Sequence, residues 1–177
     1  MRLRYRAGQF WKALRAQPTT GQLRRAEDLL GARLMALFSQ MQPGEQAHSL
    51  EIYEQLLAQG ETSPDLLAAA LLHDVGKIRY PLQVWERSEI VIAKKLLPKR
   101  ARQWGTGLPS GWKRPFVVAE RHPEWGAEMA AQAGASGLTV QLIRRHQEKI
   151  YPAPIKPGEA NLADTLLYRL QLLDDMG

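Results

Sequence analysis

Ala68-Ala69-Ala70-Leu71-Leu72-His73-Asp74-Val75-Gly76-Lys77 runs an apolar segment into an adjacent imidazole and carboxylate, followed by a glycine and a lysine. Upstream, Ser63 is placed to cap the free N–H groups of a helix. Pro64 suits its first position, and Asp65 lies favourably near the positive end of its dipole. Leu66, Leu67, Ala70 and Leu71 recur at helical spacing, which predicts a buried helix beginning at Pro64. Gly76 allows the chain to leave that helix, so His73 and Asp74 fall in its last turn, beside carbonyls that attract a cation. Taken alone, a His-Asp pair at a helix end serves equally well to satisfy backbone groups. The rest of the chain decides between that and a metal corner.

Working toward the N-terminus, a helix is expected from about Glu45 to Gln59, with His48 on the same stripe as Ile52 and Leu56. Residues 5–16 and 20–41 read as two further helices, the second with Leu23, Leu30, Leu34, Leu37, Phe38 and Met41 on one face. These define an N-terminal helical extension, residues 1–42, packed on a core domain of residues 43–177. Toward the C-terminus, a helix from Val84 to Leu97 is stopped by Pro98. The stretch from Lys99 to Pro115 mixes cations, tryptophans, glycines and prolines and reads mostly as a loop, a solvated one or a flap over a substrate. A short helix from Phe116 to Arg121 precedes His122-Pro123-Glu124-Trp125-Gly126, and a second continues to about Ala133. Leu138 to Glu148 gives a helix with His146 beyond Leu142 and Ile143 on one side. Pro152, Pro154 and Pro157 impose an extended connection. The last helix starts near Asn161, turns Leu162, Leu166, Leu170 and Leu173 to the core, and carries Asp164 on an adjoining face, where Asn161 and Asp164 also resemble a capping pair. Alternating strand patterns are absent, so the fold class expected is all-α.

The chain has 177 residues and 45% hydrophobic content, enough for one domain with a substantial core. It contains no cysteine, which excludes disulfides and thiolate zinc sites and restricts any metal to nitrogen and oxygen ligands. The net charge of +6 favours anionic partners. Lys and Arg are scattered over many segments without a helix-turn-helix, zinc-finger or RNA-recognition signature, so nucleic acid is possible but not favoured. No signal peptide is evident and the longest apolar run, Leu66 to Leu72, cannot span a bilayer, so a soluble cytoplasmic protein with no membrane partner is expected. Nothing in the sequence sets an oligomeric state.

The four histidines fall in order with two aspartates: His48, His73-Asp74, His122, His146, Asp164. Over about residues 45–175 this order resembles the HD superfamily of metal-dependent phosphohydrolases. His73-Asp74-Val75-Gly76-Lys77 is similar to its HD-x-G-K core, and His122-Pro123-Glu124-Trp125-Gly126 to the H-P-x-x-G element of its longer members. The similarity to the HD-GYP branch is weaker, since Gln147 stands where its paired histidine would be and only Tyr151-Pro152 matches its tripeptide. The resemblance implies a single all-α HD-type helical bundle with the N-terminal helices as an extension. It implies a first metal held by His48, His73, Asp74 and Asp164, and a second held by His122 and His146 and bridged through Asp74. Asp74 and Lys77 would be catalytic, with Lys77 contacting the substrate phosphate. The implied substrate is a phosphorylated small molecule, a nucleotide or related metabolite, cleaved as a phosphomonoester or phosphodiester. Elementary chemistry agrees: phosphoester hydrolysis needs hydroxide at neutral pH, and a bound divalent metal lowers the pKa of its water toward roughly 7. Imidazole and carboxylate ligands suit Mn²⁺, Fe²⁺, Zn²⁺ or Ni²⁺ better than Mg²⁺, with one or two ions. The alternative is a catalytically inactive HD-fold signalling or nucleotide-binding module.

Overall fold

A computed structural model describes residues 17–148 and 161–175. The helix expected at 5–16 and the proline-rich connection at 152–157 lie outside the described residues. Among the described residues there are eight α-helices and no strand: α1 (Thr20–Phe38), α2 (Pro43–Ala58), α3 (Pro64–Leu72), α4 (Val84–Leu96), α5 (Pro98–Trp104), α6 (Arg114–Gln132), α7 (Gly137–Arg145) and α8 (Leu162–Asp174). A 3-10 turn, Val75–Arg79, follows α3, and another, Gly111–Lys113, precedes α6.

The bundle is organised around α3. Every residue from Leu66 to Leu72 is buried, as expected for a helix that is apolar on all sides. α2, α7, α1 and α8 pack around it, and Leu50, Leu56, Phe38, Leu142, Ile143, Leu167 and Leu170 complete one continuous core. Ser63 caps α3 by accepting the Leu66 N–H (3.3 Å), and Asn161 caps α8 through the Ala163 N–H (3.1 Å). A satellite core of Leu82, Ile90, Ala93, Phe116, Val117, Val118 and Trp125 joins α4 and α5 to α6. Two buried carboxylates fasten this side: Glu45 pairs with Arg87 (2.8 Å) and Glu86 with Arg114.

Three local expectations are revised. The α1 helix is broken at Gly31, whose φ of +67° only glycine adopts without strain. Between Lys99 and Pro115 the chain is not mainly loop, because Pro98 takes the first position of α5 and Ala101 buries against α6. The two helices expected on either side of His122 are one, α6, continuous through Pro123. That continuity is what carries His122 and Gly126 to the heart of the molecule on a single element.

Candidate metal centre

His73 and His146 are reached by the same device. Each is the residue immediately after a helix, α3 and α7, and each turns Nδ1 back to a carbonyl of the last turn: Ala70 O at 2.9 Å and Ile143 O at 2.7 Å. His122, inside α6, aims Nδ1 at Val118 O at 3.0 Å. A carbonyl can only accept, so in all three rings Nδ1 carries a proton and Nε2, which bears a lone pair when the ring is neutral, faces inward. Such backbone anchoring is how ligand histidines are ordinarily oriented.

Those lone pairs converge. His122 Nε2 lies 3.2 Å from His146 Nε2 and 3.2 Å from Asp74 Oδ1. His73 Nε2 is buried without a hydrogen-bond partner, 3.6 Å from Asp74 Oδ2 and 3.5 Å from Asp174 Oδ1. His48 Nε2 reaches the same Asp174 oxygen at 2.9 Å. Two groups result, each with ligand atoms within 4.8 Å of one another: His48, His73 and Asp174, and Asp74, His122 and His146. Asp74 turns one oxygen to each group, and Lys77 Nζ sits 2.5 Å from its Oδ2.

Electrostatics follow from this crowding. Burial disfavours the imidazolium of His73, but Asp74 and Asp174 outweigh it and raise the pKa to about 9. Burial, reinforced by His122 and His73, pushes His146 down to about 3, and burial also lowers His122. Although burial opposes ionisation of Asp74, Lys77 and His73 hold its carboxyl well below the usual range; against the same opposition, His73 and His48 do so for Asp174. A divalent cation answers each feature. It relieves the facing lone pairs of His122 and His146, satisfies His73 Nε2, and neutralises two carboxylates that stay ionised. The donor set of imidazole nitrogen and carboxylate oxygen fits Mn²⁺, Fe²⁺, Zn²⁺ or Ni²⁺.

Of the residues expected here, His48, His73, Asp74, His122, His146 and Lys77 come together and Asp164 does not. Asp164 stands in the first turn of α8, ion-paired with Arg145 (2.8 Å). Ten residues of helix separate it from Asp174, about 15 Å at 1.5 Å per residue, so the two cannot serve one site. Asp174 takes the place expected of Asp164. Its signal was present in the sequence: it lies four and eight residues past the buried Leu170 and Leu166, an acid on a core-facing stripe. Asp174→Ala should therefore lower the metal content of the folded chain. Asp164→Ala should leave metal content unchanged and shift stability by no more than about 1 kcal/mol, as for a surface ion pair.

Protons report on the same centre. Below about pH 9 His73 is protonated in the metal-free chain, so binding a cation must displace that proton. Calorimetric titration near neutral pH in buffers of different ionisation enthalpy should show about one proton released at the His73 group, and affinity rising with pH toward 9. In the metal-free fold the raised pKa of His73 contributes stability that is complete below its unfolded value of 6.5 and lost as pH rises through about 9. His146 acts in the opposite sense: its contribution is complete above 6.5 and lost as pH falls toward about 3.

The centre opens on a cleft of about 1080 Å³ whose wall includes His146, Asp174, Gln147, Lys94, Arg102 and Arg144. A helical bundle that gathers four histidines and two carboxylates beside a cleft has the makings of a metal-binding domain. The HD domain model matches residues 46–173, and the chain belongs to the HD domain family. Membership places it in the superfamily of metal-dependent phosphohydrolases, whose domains bind divalent metals. No curated protein and no solved structure matches the chain.

Proposed function

We propose that the chain is a metal-dependent phosphohydrolase acting on a phosphomonoester or phosphodiester of a nucleotide or related small metabolite. The observation that carries this reading is the pair of ligand groups joined by the two oxygens of Asp74. His48, His73 and Asp174 would hold one ion, and His122 and His146 a second, with Asp74 shared. The metals would supply hydroxide at neutral pH and charge compensation at the phosphoryl oxygens. Lys77, held 2.5 Å from Asp74, places an ammonium beside the centre to bind a non-bridging phosphate oxygen. Asp74, His122 and His146 are buried and keep water out from below, so substrate enters from the cleft. Lys94 and Arg102 line that cleft together with the acids Glu120, Glu124, Glu148 and Asp175, Arg144 there is paired with Glu124 (3.1 Å), and the cleft volume suits a nucleotide-sized substrate.

The test is metal content by elemental analysis on protein purified without chelator or affinity metal, followed by a phosphoester screen. About two ions per chain and turnover of at least one nucleotide are expected. A second reading, a binding module without turnover, draws on Gln147, an amide 3.5 Å from His122 Nε2 where the HD-GYP branch has a histidine. Metal binding with no turnover of any nucleotide or sugar phosphate would favour it.

A further inference from the structure

α4 has two apolar faces. Its inner face buries Ile90 and Ala93 against the satellite core. At 100° per residue, Trp85, Ser88, Val91, Ile92 and Leu96 lie on the opposite side, and Trp85 is 62% exposed, Val91 58%, Ile92 58% and Leu96 69%. A surface helix ordinarily turns charge outward there. Several large apolar side chains on one exposed helix face mark an interaction site.

The charge around this face is mostly positive, with Glu89 the exposed acid beside it. Lys95 lies on it, and Lys99 and Arg100 follow at the start of α5, all exposed. Among the described residues none of the three has an ion-pair partner. The acids nearby are mostly engaged elsewhere: Glu86 is buried on Arg114 and Glu45 on Arg87, which leaves Glu89. A second copy paired in parallel would bring the same cations face to face. The apolar side chains also project from the outer surface of a single helix, a shape a fluid interface accepts and a protein partner matches only with a groove of its own.

We propose that the outward face of α4 docks on an anionic lipid surface, with Trp85, Val91, Ile92 and Leu96 entering the headgroup boundary and Lys95, Lys99 and Arg100 meeting lipid phosphates. Tryptophan and aliphatic side chains on one face with lysine and arginine beside them are the composition of interfacial helices. Long cationic side chains keep their charge in the headgroup layer while their stems stay apolar. The attachment is peripheral, since no helix of the described residues is long and apolar enough to cross a membrane. The expectation of no membrane partner rested on the length of apolar runs, which bears on spanning alone.

Co-sedimentation of the full chain with phosphatidylcholine vesicles, with and without phosphatidylglycerol, tests the proposal. Binding to the anionic vesicles should exceed binding to the neutral ones by about tenfold. The triple variant Trp85→Ser, Ile92→Ser, Leu96→Ser should lose about tenfold in bound fraction, as should Lys95→Glu, Lys99→Glu, Arg100→Glu, with far-ultraviolet circular dichroism and metal content unchanged in both. Because the second variant touches only exposed charges, it remains informative if the first fails to fold. Absence of binding to anionic vesicles would overturn the proposal, as would binding indifferent to either variant. A concentration-dependent dimer abolished by the apolar variant, without vesicle binding, would assign the face to a second copy instead.

Discussion

Asp74→Ala should yield a folded chain that holds little divalent metal and turns over no phosphoester that the wild type hydrolyses. Loss of an outer-shell partner of a metal ligand typically costs 10–100-fold in affinity or activity. Asp74 should exceed that, because its Oδ1 lies 3.2 Å from His122 and its Oδ2 3.6 Å from His73, so one deletion opens both ligand groups. The fold should survive, since Lys77, the direct cationic partner of Asp74, is partly exposed and can turn to water. Asp74→Asn, which keeps the shape and removes the charge, should behave like the alanine variant in metal content. Elemental analysis beside turnover decides the matter. Wild-type metal content in Asp74→Ala would sink the assignment of this centre.

Gly76→Ala should be the most destabilising single methyl in the molecule. A Cβ at that position would lie 2.0 Å from the His122 carbonyl oxygen and 2.6 Å from the Gly126 nitrogen, both backbone atoms of α6 that cannot rotate away. The 3-10 turn after α3 and the middle of α6 touch backbone to backbone here, with Gly126 supplying the matching gap. Relieving the overlap means moving the turn that carries Asp74 and Lys77 away from His122. A loss of about 3 kcal/mol is expected, at the upper end of overpacking costs, equivalent to a drop of roughly 6–12 °C in melting temperature for a chain of this size. Metal affinity should fall with it. Gly137→Ala is the control, since nothing lies within 4 Å of its Cβ position. It sits at the start of α7, where alanine should be neutral or slightly stabilising. Thermal melts of the two variants side by side would separate a steric cause from a general intolerance of substitution.

The glycine also shows how far local reading extends. From the sequence, Gly76 serves only to end a helix; its approach to α6 depends on a residue fifty positions away and carries no local signature. His73-Asp74 at the end of an apolar helix was legible because helical periodicity, capping residues and the helix stop are all properties of neighbours in the chain. The same holds for the all-α class, for His48 on its stripe, and for the caps Ser63 and Asn161. Asp174 rather than Asp164 lies at the cluster: both lie on α8, and an ordered motif fixes sequence order, not which end of a helix faces the histidines. α4 makes the point again: with apolar residues on both sides of Val84–Leu96, periodicity cannot tell the buried face from the exposed one.

Sequence by itself therefore determined the all-α class, most of the helices, the histidine and aspartate candidates and the exclusion of thiolate chemistry, since these follow from composition and short-range spacing. Tertiary structure alone decided which carboxylate completes the His48 and His73 group, that Asp74 stands between two groups, and that one face of α4 remains outside. Each of these depends on distances between residues far apart in the chain, and such distances are set by how the bundle packs.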